Sequence, residues 1–267
     1  MGKKRLLNSI LRIASCIVCV IAALSFCACN KKTDSIYEYD NNFEYTVIDS
    51  DDSLVYEPKD VNYTYGIIFY VEFLFSPKQY SYLAEALAKQ GYLVVMPKPD
   101  GNRYSPTEPA FTKYPNVKFF VGGYGMGGGA AIRRAQENPS AVVGTVLFTP
   151  IDTSKLVTDE NGKYVEDEDG NVMWTIYSIA ELSLPTLLLE TDCNNLRTDE
   201  IVAKAKSRLN LNTTEEYTLE NSCHLGFLSN AAQFELVDLT NDEIAAQHQN
   251  TVSLTLAFMR KTVLKQK

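Results

Sequence analysis

Basic residues are scarce in this sequence outside its first segment. The 267 residues carry 25 Lys and Arg against 33 Asp and Glu, which gives a net charge of −8. The first 28 residues hold four of the cations and no acid, so the remainder of the chain carries −12. Because phosphate backbones are bound through clustered Lys and Arg, this acidic remainder argues against a nucleic-acid partner.

Long apolar runs are also missing, which bears on the role of the first segment. The apolar stretch from Ile13 to Ala28 is short for a transmembrane helix, which needs about 20 apolar residues. Four basic residues precede it, three of them at positions 3–5, as in a secretory signal peptide. We predict that residues 1–28 form a signal peptide. A retained N-terminal membrane helix is the alternative, and both place the rest of the chain outside the cytoplasm.

The end of this segment resembles the lipobox of bacterial lipoproteins. Two cysteines compete for the role: Cys29 follows the small Ala28, whereas Cys27 follows the bulky Phe26. The resemblance implies cleavage before Cys29 and a diacylglycerol on its sulfur, which anchors the chain to the outer face of the cell membrane. The polar residues 29–42 that follow are expected to form a flexible tether.

Short apolar runs alternate with helical patterns from residue 43 to 267. Gly66–Phe69 and Tyr92–Met96 are unbroken apolar runs, typical of strands buried on both faces. Residues 77–90 and 251–264 have helical spacing, and residues 43–56 are expected to form a hairpin. The alternation predicts one α/β domain with a doubly wound, mostly parallel sheet.

Residues 153–181 interrupt this alternation. The turn signals Asn161-Gly162 and Asp169-Gly170 predict a hairpin between short β-like pieces. The acids at 166–169 invite a calcium site, but Val165 stands where the Asp-x-Asp-x-Asp-Gly pattern begins with an acid. We therefore predict a solvated turn, and the sequence indicates no metal site and no cofactor.

A serine is absent from the most informative segment of the chain. Residues 119–128 run from an apolar strand through glycines directly into a helix. That is the context of a nucleophile elbow, Gly-x-Ser-x-Gly, whose central residue is exposed at the N-terminus of the helix. Here the centre is Gly125, which has no oxygen to attack a carbonyl carbon.

The elbow and several further segments resemble the bacterial alpha/beta hydrolase fold-5 group. The resemblance covers about residues 60–264 and implies the α/β-hydrolase fold, with residues 153–181 as a small cap insertion. It also implies a catalytic order of nucleophile, acid and histidine along the chain. The segments that carry it are Gly66–Tyr70, Tyr80–Gly91, Tyr92–Lys98, Tyr114-Pro115, Ala135–Pro139, Leu184–Leu188, His224 and Gln247–Thr251.

The resemblance also assigns roles to individual residues. It maps the histidine to His224 and the acid to Asp192, or to the next position, where Cys193 stands. It places Glu72 where the family has the first of two glycines in the oxyanion loop, and a carboxylate there opposes the negative charge that the loop must stabilise. With Gly125 these losses predict a degenerate hydrolase in which His224 and Asp192 are vestigial.

Two further features leave alternatives open. Cys193 and Cys223 are the only cysteines after Cys29, and the acid and histidine loops meet in this fold. A disulfide and two free thiols are both compatible with the sequence. His248 lies at the start of a predicted helix and is expected to be solvated.

Three functions are compatible with these observations. The first is a degenerate hydrolase that binds a small ligand or a protein in the old pocket. The second is a purely structural surface lipoprotein. The third is an active esterase-like hydrolase that uses a non-serine nucleophile, such as Cys223 or Glu72. Because position 125 has no serine, we favour the degenerate hydrolase first, the structural lipoprotein second and the active hydrolase third.

Overall fold

Eight strands form the central sheet in the computed structural model, and a separate pair of short strands lies outside it. The structure describes residues 41–100, 104, 109–151, 155–156, 165–168, 173–193 and 196–266. The predicted signal peptide, Cys29 and the tether up to residue 40 lie outside this part. The sheet strands are β1 (Tyr45–Asp49), β2 (Ser53–Pro58), β3 (Tyr65–Tyr70), β4 (Leu93–Pro97), β5 (Lys118–Tyr124), β6 (Val142–Phe148), β9 (Thr186–Cys193) and β10 (Thr214–Cys223); the short pair is β7 (Lys155–Leu156) and β8 (Trp174–Thr175).

The strand order of the sheet is β1-β2-β4-β3-β5-β6-β9-β10. The six strands from β4 to β10 in this order pair in parallel, while β1 and β2 form an antiparallel edge. The predicted α/β class with a mostly parallel sheet is therefore confirmed. The predicted hairpin is the β1–β2 pair, in register from Tyr45 opposite Pro58 to Asp49 opposite Leu54.

Helices cover both faces of the sheet and bury alternate residues of each strand. On one face Ile67 and Phe120 pack with residues of α1 (Ser81–Lys89) and α5 (Asn241–Leu264). On the other face Ile68 and Val121 pack with residues of α2 (Pro109–Lys113) and α3 (Met126–Glu137). This alternation follows from the two-residue period of a strand. The helices are α1 (Ser81–Lys89), α2 (Pro109–Lys113), α3 (Met126–Glu137), α4 (Asp199–Lys206) and α5 (Asn241–Leu264).

The last helix begins ten residues earlier than the apolar spacing predicts. The sequence pattern gave a helix over 251–264, whereas α5 begins at Asn241. Thr240 and Glu243 form a capping box, in which the Thr240 side chain accepts a hydrogen bond from the Glu243 backbone and the Glu243 side chain accepts one from the Thr240 backbone. This pairing satisfies N–H groups at the helix start, and its Thr-x-x-Glu signal was missed in the sequence.

The segment predicted as a cap contains a short antiparallel ladder. β7 pairs with β8 through Lys155 opposite Thr175 and Leu156 opposite Trp174. The predicted turn residues at 157–164 and 169–172 lie outside the described residues. Within the described ranges, no helix is both long enough and apolar enough to cross a membrane.

His248 is not solvated as the sequence suggested. Its ring stacks on Tyr82 with centroids 3.9 Å apart and an interplanar angle of 15°. Its Nε2 atom is buried and has no hydrogen-bond partner among the described residues. Burial lowers the pKa of His248 from its usual 6.5, because desolvation disfavours the charged imidazolium.

Acidification should therefore destabilise the protein in part through His248. A histidine with a depressed folded-state pKa contributes fully above its unfolded pKa, and this contribution is lost as the pH falls towards the folded pKa. His248→Phe keeps a ring on Tyr82 but removes the titrating group. The Tm of this variant should fall less than that of the native protein between roughly pH 7.5 and pH 5.5. Equal pH slopes in thermal denaturation would contradict the prediction.

Candidate functional site

The turn between β5 and α3 has the form of a nucleophile elbow. Gly125 is the N-cap residue of α3, with φ 55° and ψ −122°, and no side chain caps the helix. Such a backbone is strained for residues with a Cβ atom and free of that strain for glycine. A Cβ on Gly127 would lie 2.1 Å from the Tyr70 carbonyl oxygen, so a glycine there lets α3 approach the end of β3.

The carboxylate of Glu72 fills the place of the missing side chain. A Cβ atom at Gly125 would lie 2.1 Å from Oε2 and 3.1 Å from Cδ of Glu72. Only 15% of the Glu72 side chain is exposed. The sequence placed Glu72 in the oxyanion loop, and the structure puts its carboxylate at the nucleophile position itself.

His224 lies beside this carboxylate at the end of β10. Its Nε2 atom is 3.7 Å from Glu72 Oε2, and 5% of its side chain is exposed. The imidazole stacks on Tyr124, with ring centroids 4.5 Å apart. Gln247 of α5 holds the preceding residue through two hydrogen bonds to the backbone of Cys223, of 3.2 and 3.0 Å. The structure thus brings Gly125, Glu72 and His224 together.

The partner of the other ring nitrogen is Thr149. Its Oγ1 atom forms a 2.7 Å hydrogen bond with His224 Nδ1. Thr149 follows β6 and has φ 40°, an unusual backbone conformation for a β-branched residue. A hydroxyl can orient an imidazole, but it lacks the negative charge with which a triad carboxylate stabilises the imidazolium. No sequence signal marked this residue.

Asp192 does not orient His224. Its carboxylate accepts hydrogen bonds from the backbone N–H groups of Asn221 and Ser222, at 2.7 and 2.9 Å. These residues lie where the pairing of β10 with β9 is irregular, between Leu219 and Cys223. Asp192 therefore satisfies backbone donors at a bulge, and the predicted acid role has no counterpart in the geometry.

Cys193 and Cys223 lie side by side but are not bridged. They are register partners at the ends of the parallel strands β9 and β10, and neither is in a disulfide. Cys223 is 5% exposed, and burial raises the pKa of its thiol. Cys193, at the other position considered for the acid, is partly exposed.

Alkylation should distinguish the two thiols. The thiolate is the reactive species, so iodoacetamide should modify Cys193 at least about tenfold faster than the buried, raised-pKa Cys223. Peptide mass analysis of a time course measures both rates, and Cys193→Ser isolates the slow one. If neither thiol reacts until a reductant is added, the two are bridged in the native protein and the free-thiol geometry is wrong.

A buried ion pair lies at the same edge of the sheet. The Arg197 guanidinium donates to the Glu190 carboxylate, and 0% and 6% of the two side chains are exposed. Arg197 also donates a 3.3 Å hydrogen bond to the carbonyl oxygen of Pro150, which follows β6. The pair joins the loop after β9 to the loop after β6.

A small cavity lies beside His224 among the residues that the structure describes. Its volume is about 10 Å³, the size of a single water molecule, and its lining is largely apolar. A much larger cavity of about 650 Å³ lies between the β1–β2 turn, the end of β4 and α2. The residues lining the small cavity are Leu196, Cys223, His224, Leu225 and Leu236.

Within the described part of the chain, no three His, Cys, Asp or Glu side chains are grouped so as to hold a metal ion. Glu166, Asp167 and Glu168 of the acidic turn are exposed, and Asp169 lies outside the described residues.

Known proteins resemble this chain in sequence over part of its length and in fold. Residues 66–178 match the sequence model of the Alpha/beta hydrolase family. No curated protein gives a significant match. A structure from work on LipS and LipT, two metagenome-derived lipolytic enzymes, is 18% identical, with a TM-score of 0.51 over 81% of this chain and 100% of that chain. A predicted CIB-like hydrolase from Thermoplasma acidophilum is 18% identical, with a TM-score of 0.46 over 73% and 94%.

The chain has the α/β-hydrolase fold. The strand order, the elbow between β5 and α3, and the histidine after β10 are the parts of that fold seen here. The family match supports assignment to the α/β-hydrolase superfamily. The elbow differs from the superfamily pattern in its centre, where a glycine and a neighbouring carboxylate replace the nucleophilic serine.

Proposed function

We propose that this protein is a lipid-anchored, extracytoplasmic α/β-hydrolase-fold protein that does not hydrolyse esters. In this proposal the old active site binds a ligand or supports the fold. The observation that carries it is the position of Glu72 Oε2, 2.1 Å from where a side chain at position 125 would begin. A negative charge at that point opposes both a nucleophile and a developing oxyanion.

Three further observations support the same conclusion. Among the described residues, the small cavity beside His224 has about the volume of one water molecule and a largely apolar lining. His224 is oriented by the neutral hydroxyl of Thr149 instead of a carboxylate. Cys223, considered from the sequence as a substitute nucleophile, is buried and its pKa is raised, so it supplies little thiolate.

A fluorophosphonate probe and an ester assay test the proposal. The unmodified protein should form no adduct with the probe, because such probes report an activated serine and position 125 has none. Short acyl esters should hydrolyse no faster in the presence of the protein than in buffer alone. Robust ester hydrolysis that disappears in His224→Ala would overturn the proposal and indicate a non-serine nucleophile.

The anchor is tested separately. In cells given a labelled fatty acid, Cys29→Ala should abolish labelling and leave the precursor uncleaved, because the thiol that accepts the diacylglycerol is gone. Cys27→Ala is the matched control and should be processed normally. Labelling that survives in Cys29→Ala but is lost in Cys27→Ala would show that Cys27, and not Cys29, carries the lipid.

A further inference from the structure

The N-terminus of α3 lies beside a carboxylate that belongs to the protein itself. The first turn of a helix leaves backbone N–H groups without acceptors inside the helix, and its dipole favours an anion. Gly125 supplies no capping side chain, and the Glu72 carboxylate occupies the volume beside it. The imidazole of His224 lies on the other side, 3.7 Å from the same oxygen.

Three buried polar atoms in this part of the protein are without hydrogen-bond partners. Glu72 Oε2 and the hydroxyls of Tyr80 and Tyr124 are buried, and none has a hydrogen-bond partner among the described residues. Both tyrosines are 0% exposed. The pKa of Tyr124 is raised by burial and then by the charge of Glu72, in keeping with its closeness to the carboxylate. Such a set of unmet donors and acceptors is costly in a folded protein unless it has a use.

The side of the site away from these hydroxyls is apolar. The small cavity next to His224 is lined by Leu196, Leu225 and Leu236. Leu196 and Leu236 are 44% and 61% exposed, so this apolar side reaches the surface. An anion at the helix and an apolar group leading outward describe an amphiphilic molecule with a carboxylate head.

The segment that carries Glu72 is held by its backbone and by the ring contacts of Phe73 and Phe75, and not by hydrogen bonds of the Glu72 carboxylate. The Phe75 backbone donates to the Glu72 carbonyl oxygen at 2.9 Å, and the Tyr104 hydroxyl donates to the carbonyl oxygen of Val71. Leu74 between them is 85% exposed. Glu72 itself makes no side-chain hydrogen bond among the described residues that would hold it in the site.

We propose that the elbow is a binding site for short-chain monocarboxylates, and that Glu72 occupies it when no ligand is present. The ligand carboxylate takes the place of the Glu72 carboxylate at the start of α3, and its alkyl tail lies along Leu196, Leu225 and Leu236. No bond is made or broken. The inference rests on the proposed function, because a ligand that displaces Glu72 needs a site without turnover.

Butyrate is the probe, and the two histidines of the chain report its binding. With only His224 and His248 present, each imidazole gives its own NMR signal. In the native protein butyrate should shift the His224 signal saturably and leave the His248 signal unchanged. Butan-1-ol and chloride at equal concentration should shift neither, since one lacks the charge and the other the tail.

Removing the resident carboxylate should tighten binding. The native protein binds butyrate only in the fraction of molecules whose site is vacant, so Glu72→Ala should lower the apparent Kd at least about tenfold. Glu44→Ala makes the same change in net charge at an exposed residue and should leave the Kd unchanged.

Three results would overturn the inference. They are the lack of a saturable His224 shift in the native protein, an equal shift with butan-1-ol, and an equal gain in Glu44→Ala. If Glu72→Ala does not fold, the native titration alone decides. None of these results touches the ester assay, so a failure of the inference can be distinguished from a failure of the proposed function.

Discussion

Gly125→Ser combined with Glu72→Gly and Phe73→Gly should hydrolyse short acyl esters about 10²-fold faster, or more, than Gly125→Ser alone. In the single variant the new Cβ would lie 2.1 Å from Glu72 Oε2, and the carboxylate would face the developing oxyanion. The triple variant restores the family's two glycines and vacates that space. Loss of one oxyanion donor alone costs about 10²–10³ in rate, which sets the scale of the gain.

The triple variant should still be a slow enzyme. Thr149 is the partner of His224 Nδ1, and replacing the orienting acid of a comparable triad lowers turnover about 10⁴-fold. His224→Ala in the triple background should remove the gained activity and serves as the control. Equal rates for the single and triple variants would mean that Glu72 does not oppose catalysis at this position.

Arg197→Met should destabilise the protein by about 3–5 kcal/mol in denaturant unfolding, the cost of leaving one charge of a buried pair without its partner. Glu190 is 4% exposed, so its carboxylate would stay in a poorly solvated place after the change. Adding Glu190→Gln to Arg197→Met should recover most of that loss, because the remaining side chain is then neutral.

An exposed ion pair gives the matched control for this measurement. Lys206 and Glu216 are in contact, with 31% and 38% of their side chains exposed. Lys206→Met should cost no more than about 1 kcal/mol, because water screens and solvates both charges. A loss in Arg197→Met as small as in Lys206→Met would show that the buried pair contributes little.

Much of the fold could be predicted from local pattern. Strands such as β3 and β4 are short and apolar because both of their faces are buried, and this leaves a signal in one sequence. The elbow was visible because the close approach of α3 to the sheet demands glycine, as at Gly127. The start of α5 at Asn241 was missed because its signal is a polar capping box, not apolar spacing.

The site was only partly predictable, because its contacts join residues far apart in the chain. The family pattern placed Glu72 near the elbow, but the entry of its side chain into the space at Gly125 depends on loop geometry. Thr149 takes its role through a positive φ that the sequence does not encode. Asp192 has the expected position along the chain, yet its carboxylate accepts hydrogen bonds from two backbone N–H groups at the β10 bulge.

The elbow also determines how easily mutation could restore catalysis. At φ 55° a serine brings back backbone strain that Gly125 relieves, so reversion at this position alone lowers stability without restoring activity. Removing Glu72 first leaves position 125 without a hydroxyl, so this change alone gains no serine-based hydrolysis either. Under the proposed function, a serine hydrolase therefore needs both changes together, and the first of them has no catalytic benefit by itself.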